Sequence, residues 1–221
     1  MKQIMEQTKI EKPDNFKTDL TKMRYNRVAP IYDILQAGTE KKFIPWRQEL
    51  WEKVKGDKIL EVGVGTGKNI PFYPDNTDIT SIDLSEKMIE RAIKAAKEKS
   101  KKVNFIQADI QNLPFEDNTF DSVVSTFVFC SVPNPVLGLK EVKRVLKPGG
   151  KFLLLEHVLS EKPVLRLIME IMNPLMSWLS GANMNRKTLE NIKAAGFDNI
   201  KSEKLFLDVV LKIETVKYLE K

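Results

Sequence analysis

The 221-residue chain carries one cysteine, Cys130, and one histidine, His157. A single thiol excludes an intramolecular disulfide and a thiolate metal cage. A single imidazole argues against a conventional zinc site. The opening residues, Met1-Lys-Gln-Ile-Met-Glu-Gln7, lack the apolar centre of a signal peptide, and no uninterrupted apolar helix-length run marks a membrane span. A reducing, cytoplasmic setting is therefore expected. Internal repeats and low-complexity linkers are also missing. The net charge of +6 comes from lysines scattered among acids, as in Glu98-Lys-Ser-Lys-Lys102. That pattern reads as solvated faces, with attraction to an anionic membrane as the alternative. No basic stretch is interleaved with aromatics as nucleic-acid binding would require. What is present, 42% hydrophobic and 30% charged residues, suits one globular domain with a substantial core.

The most informative stretch is Lys58-Ile-Leu-Glu-Val-Gly-Val-Gly-Thr-Gly67. Ile59, Leu60 and Val62 form an apolar run short enough for a buried parallel strand. Gly63, Gly65 and Gly67 follow on alternate positions, where a chain leaving a central strand needs positive φ and room for a ligand against the backbone. Lys68 to Phe72 is expected to begin a helix. Asp83 lies 22 residues beyond Glu61, closing a second apolar run, Ile79-Thr-Ser-Ile82. An acid about 20 residues past a glycine-rich turn is placed to hydrogen-bond ribose hydroxyls, so a nucleoside-containing cofactor is predicted. A dinucleotide loop reads G-x-G-x-x-G, whereas Gly63-Val-Gly65-Thr-Gly67 is G-x-G-x-G. A pyrophosphate would also be repelled by Glu61. S-adenosylmethionine has no phosphate, and its sulfonium end suits an acid at that position.

With these features in place, the chain resembles the class I S-adenosylmethionine-dependent methyltransferases. Within them it is similar to the group with quinone C-methyltransferases, phospholipid N-methyltransferases and alkyl-thiol methyltransferases. The resemblance runs from about Tyr25 to about Phe197. It is carried by Tyr25-Asn-Arg-Val-Ala-Pro-Ile-Tyr-Asp33, Glu61 to Gly67, Ser81-Ile-Asp-Leu-Ser85, Leu113-Pro-Phe-Glu-Asp-Asn-Thr-Phe-Asp121 and Arg144-Val-Leu-Lys-Pro-Gly-Gly150. It implies S-adenosylmethionine as cofactor and S-adenosylhomocysteine as product. The implied cofactor contacts are Glu61, Gly63, Val64, Gly65, Thr66, Gly67, Asp83 and Leu84. The resemblance also sets Tyr25 and Tyr32 around the methyl-transfer cavity, Asp109 at the adenine amine and Ile110 against the ring. The residues alone leave other roles open: the tyrosines could staple an N-terminal helix to the core, and Asp109 could be a simple turn residue. Met88, one turn past Asp83, suits an adenine ring or the core equally.

Taken in order, a helix is expected from a cap at Asp14 or Asn15, and a second over Phe43 to Val54. Strands follow at Lys58–Val62, Ile79–Asp83, Val103–Ala108, Phe120–Phe129 and Phe152–Leu155. Between them come a helix capped by Ser85 and another over Leu137 to Leu146, stopped by Lys147-Pro-Gly-Gly150. Alternating strands and helices predict an α/β fold: a doubly wound, mostly parallel, seven-stranded Rossmann-like sheet. An N-terminal helical segment and a helical lid after strand 5 complete it. One domain is expected over 1–221, divided into covering helices 1–55, cofactor-binding core 56–160, lid 161–195 and closing strands 196–221. The lid reading concerns Pro163 to Ser180, apolar on most sides; a buried helical hairpin or a face touching lipid are its alternatives.

Glu61, Asp83, Asp109, Thr126 and Glu156-His157 all fall at the carboxyl ends of predicted strands, where ligands bind in such sheets. Thr126 is thus a candidate cofactor contact, and His157 and Glu156 are competing candidates for a base. Cys130 is expected to be a packed thiol. The resulting expectation is methyl transfer to a small or lipid-like apolar acceptor: a thiol, a phospholipid amine or a quinol. The Glu156-His-Val158 stretch looks closest to the thiol group. A monomer or homodimer with peripheral membrane contact is compatible with this reading. A non-catalytic cofactor-binding or nucleic-acid-binding protein is the other class considered.

Overall fold

The computed structural model describes residues 12–183 and 185–218, apart from the side chains at 175, 176, 179 and 180. The expectation drawn from residues 1–7 lies outside the described residues.

The chain opens with two helices, α1 (Asn15–Val28) and α2 (Tyr32–Trp51), joined by a 3-10 turn at Ala29–Ile31. Asp14 caps α1 by accepting a bond from the Lys17 N–H. The core then alternates: β1 (Lys58–Val62), β2 (Asp78–Asp83), α3 (Glu86–Glu98), β3 (Asn104–Gln107), β4 (Phe120–Thr126), α4 (Pro135–Val145) and β5 (Leu146–His157). It closes with α5 (Pro163–Ser180), α6 (Thr188–Ala194), β6 (Lys201–Phe206) and β7 (Val210–Val216). The sheet has seven strands in the order β3-β2-β1-β4-β5-β7-β6. The first five pair in parallel, and β7 inserts antiparallel between β5 and β6. Strand order reverses beside β1, which pairs with β2 on one side and β4 on the other, so the crevice beyond β1 and β4 is the expected ligand position.

Both sheet faces are covered, which explains the near-continuous burial of the central strands. Leu60, Val62, Val123, Phe152 and Leu154 pack with Leu139, Val142 and Val145 of α4 and Ile192 of α6. Ile59, Val124, Leu153 and Leu155 pack with Leu50 and Trp51 of α2 and Ala92 and Ala96 of α3. The α3 helix fits its pattern: Ser85 caps it, and Met88, Ile89, Ala92 and Ala96 form its buried stripe.

Three expectations are corrected, and one of the alternatives is removed. The second helix begins at Tyr32, not near Phe43, because its first half covers the mouth of a cleft rather than the core and so lacks an apolar stripe. After the glycine turn only a 3-10 turn forms, Ile70–Phe72, since Pro74 biases Tyr73 to the extended geometry that stops any longer helix. Strand β4 ends at Thr126; Phe127 takes φ +59, and a non-glycine residue there breaks the ladder. Pro163–Ser180 is one helix, not a hairpin, with Pro174 carried inside it.

Candidate active site

A cleft opens at the carboxyl ends of β1, β2 and β4, where open α/β sheets bind their ligands. Its floor is Gly63, Val64, Gly65 and Thr66 after β1, Asp83 and Leu84 after β2, and Thr126, Phe127 and Val128 after β4. Ala108, Asp109 and Ile110 close one end, with Met88 from α3. Tyr25 and Tyr32 cover it from above.

The glycines answer to different demands. A Cβ on Gly63 would sit 2.3 Å from a Val128 methyl, and one on Gly67 would strike Ile70 and α3. Gly65, at φ +55, has nothing within 4 Å of its missing Cβ. It borders open cleft, where a ligand can lie against bare backbone. Gly67 serves packing and is not among the lining residues.

Asp83 is fixed from both sides: Gly65 N–H donates to Oδ2 and Ser85 N–H to Oδ1, each at 2.9 Å. Burial pushes its carboxyl up to about 6 despite these donors. Asp109 accepts from the Gln111 N–H at 2.9 Å and the Thr18 hydroxyl at 3.3 Å, so α1 is tied directly to that end of the cleft. Tyr25, at the far end of α1, shares a 2.5 Å hydrogen bond with Ser131. Burial raises both phenols, Tyr32 to about 12, so both stay neutral. Asp33, next to Tyr32, accepts from Thr66 at 2.7 Å and pairs with Arg91 and Lys68, holding α2 to the glycine turn.

Besides Gly67, three expected site residues sit outside the cleft lining. Glu61 does not face the cleft: it is fully buried beneath the turn, with bonds from Asn69 at 2.5 Å, from Tyr73 and from Ser81. Those donors counter the burial that raises its carboxyl. Glu61 therefore cannot touch a sulfonium directly; it reaches the cleft only through Asn69, which also donates to Thr126 at 2.9 Å. His157 lies behind Phe127, their rings 4.5 Å apart, with Phe43 on its edge. Burial lowers its pKa to about 4. Glu156 points to the other sheet face and accepts from the N–H groups of Val128 and Phe129 and from Ser125. Neither lines the cleft: His157 packs on Phe127, and Glu156 holds the Phe127–Phe129 turn.

Arg47 was not anticipated. It is 4% exposed, and its Nη1 donates to Thr126 at 2.8 Å and Asn69 at 2.9 Å, while Nε donates to Glu40. It lines the cleft, and its Nη2 has no hydrogen-bond partner among the described residues. Arg47 stands one turn before Leu50 and Trp51, the buried pair of α2, and that shared face was a signal for it. Gln36 and Lys68 line the cleft as well.

Residues 60–154 match the family model described as a methyltransferase domain. Thiol S-methyltransferase TMT1B of Rattus norvegicus is 32% identical over 182 residues, covering 76% of this chain and 74% of that protein. The chain belongs to the S-adenosylmethionine-dependent methyltransferases. Demethylmenaquinone methyltransferase of Staphylococcus aureus is 33% identical over 186 residues, covering 71% of this methyltransferase and 75% of its relative. A solved S-adenosylmethionine-dependent methyltransferase from Thermotoga maritima shares the fold at TM-score 0.67 and 19% identity, over 89% of this chain and 99% of the other. S-adenosylmethionine is thus the methyltransferase's cofactor, and the cleft suits it. Paired acids, Asp83 and Asp109, mark one end, bare backbone at Gly65 borders the middle, and a partly open guanidinium stands on the wall by Thr126.

Proposed function

We propose that the cleft binds S-adenosylmethionine with its ribose on Asp83 and its adenine between Asp109, Ile110, Leu84 and Met88. Its amino-acid tail lies along Gly63 to Thr66, with the carboxylate on Arg47. When bound, the cofactor supplies an activated methyl group on a sulfonium. The chain's own contribution is alignment and exclusion of water, and orientation of this kind supplies about 7–11 kcal/mol of a barrier. Tyr25 and Tyr32 form the roof, and Phe127 and Val128 form the wall nearest Thr126.

The acceptor we infer is a small or lipid-like apolar thiol. The observation carrying this is the wall itself: neutral phenols and Phe127 face the cleft, and no imidazole lines it among the described residues. An acceptor here must bring its own nucleophile. A thiol needs the least help: a cysteine-like one ionises at about pH 8.5 and a simple alkyl thiol higher, but even a small thiolate fraction is strongly nucleophilic. A quinol carbon needs a base, and a phospholipid amine must first shed a proton beside Arg47 and Lys68. An apolar acceptor of this class also fits peripheral contact with a membrane.

The test is a panel assay of S-adenosylhomocysteine release with alkyl thiols, phosphatidylethanolamine and a demethylated quinol. Turnover of thiols, rising with pH toward the thiol pKa, is expected. Turnover of the quinol or the phospholipid with inert thiols would overturn the thiol assignment.

A further inference from the structure

Helix α5 is built inside out. Its inward stripe is Leu165, Met169, Asn173 and Ser177, spaced by four, of which Met169 is buried. The opposite face carries Val164, Leu167, Ile171 and Trp178, exposed to between 57% and 74%. From Val164 to Trp178 this face runs about 21 Å at 1.5 Å per residue. A surface helix normally shows solvent its polar side.

The apolar surface continues past the start of the helix. Asp208, in the β6–β7 turn, accepts bonds from the Ser160 hydroxyl and the Glu161 N–H, which docks that turn beside the first residues of α5. At the turn, Phe206 and Leu207 are exposed. Lys42 of α2 stands over the Phe206 ring at 5.2 Å. Around this edge, Lys42, Lys162, Arg166 and Lys204 outnumber the exposed carboxylates Glu161 and Glu170. Each acid is paired with one of these cations, Glu161 with Lys204 and Glu170 with Arg166, so the excess positive charge is that of Lys42 and Lys162.

We infer that the outward face of α5, continued by Phe206 and Leu207, is a docking surface for an anionic lipid bilayer. An apolar strip on a single helix, rimmed by cations and carrying an exposed tryptophan, matches an interfacial helix. A second copy of the chain fits less well: an isologous contact would set this patch, with more cations than carboxylates, against the same patch. The end of α5 meets the active site, because Asn183 donates to the Cys130 carbonyl through its backbone N–H and its side chain, and Ser131 lines the cleft. A bilayer on this face would lie where an apolar acceptor enters, so the inference deepens the acceptor reading and rests on it for its purpose alone.

The experiment is flotation of the full chain with vesicles of phosphatidylcholine alone or mixed with phosphatidylglycerol, at low and high salt. Binding to the mixed vesicles is expected, weaker in salt. The double variant Leu167→Asp, Ile171→Asp should lose it at least about tenfold, on the cost of placing charge in an interfacial face. Phe206→Ser with Leu207→Ser should weaken it with α5 untouched, which guards against a helix that fails to fold. Both variants should still bind S-adenosylhomocysteine as the parent does by calorimetry. Equal binding to neutral and mixed vesicles, unchanged binding in both variants, or a parent dimer in sedimentation that the variants abolish would overturn the inference. No turnover is read, so the acceptor assignment stands or falls separately.

Discussion

Asp83 Oδ2 accepts the Gly65 N–H at 2.9 Å, so the acid at the end of β2 is fastened to the turn after β1. The carboxylate proposed to hold the ribose and the glycine turn are therefore coupled directly. Asp83→Asn should keep the fold and weaken S-adenosylhomocysteine binding roughly 10- to 100-fold, the worth of about 1.5–3 kcal/mol for a bond to a charged group. Isothermal titration checks it, and an unchanged affinity would remove Asp83 from the site.

The same carboxyl sets a pH dependence. Its pKa is raised to about 6 by burial. Cofactor affinity should fall as pH drops through about 6, because a protonated carboxyl is the poorer acceptor for ribose hydroxyls. For folding the sign is opposite: a raised pKa favours the folded state at low pH, and that contribution is lost as pH rises through 6. Titrations between pH 5 and 8 should show the affinity slope in the parent and none in Asp83→Asn.

Glu156 is expected to matter for the turn after β4. Glu156→Ala leaves the Val128 and Phe129 N–H groups without their acceptor and should cost about 1–3 kcal/mol in urea unfolding. Glu156→Gln retains an acceptor and should cost less. Burial raises this carboxyl to about 7, so the parent's stability from this group is full below about pH 4.5 and lost as pH rises through 7. The glutamine variant should show a flatter profile over that interval.

Arg47→Lys keeps the charge and loses the fork that joins Asn69 and Thr126. About a tenfold loss of S-adenosylhomocysteine affinity is predicted, with the fold retained. Arg47→Met should instead destabilise the chain by about 3–5 kcal/mol, since it leaves Glu40 and Glu61 buried without their cation. Thermal melts separate the two effects.

His157→Phe should preserve the stack on Phe127 and leave kcat and its pH profile within about threefold of the parent. A collapse of kcat with intact cofactor binding would restore the imidazole as a base.

Much of this architecture could be read from the residues, and the failures have physical causes. The Lys58–Val62 strand, the Ser85 cap and the last of the closing strands were legible because apolar runs, capping chemistry and β-branched residues act locally. Glu61 was misplaced because its position in sequence does not say which side of the strand end it faces; the structure turns it inward onto Asn69 and Tyr73. Phe127 gave no warning of a positive φ, since nothing in its type demands one. Arg47 joins helix α2 to two strand ends, and long-range convergence of that kind leaves only the faint trace of a cation on a buried face. The outward apolar side of α5 was visible as composition, but its direction depends on what it packs against.

Helix α1 is pinned at Thr18 and again at Tyr25, on opposite ends of the cleft. It works as a crossbar. If S-adenosylhomocysteine lies beneath that bar, both bonds would have to open before it could leave, and loosening either one should speed cofactor exchange.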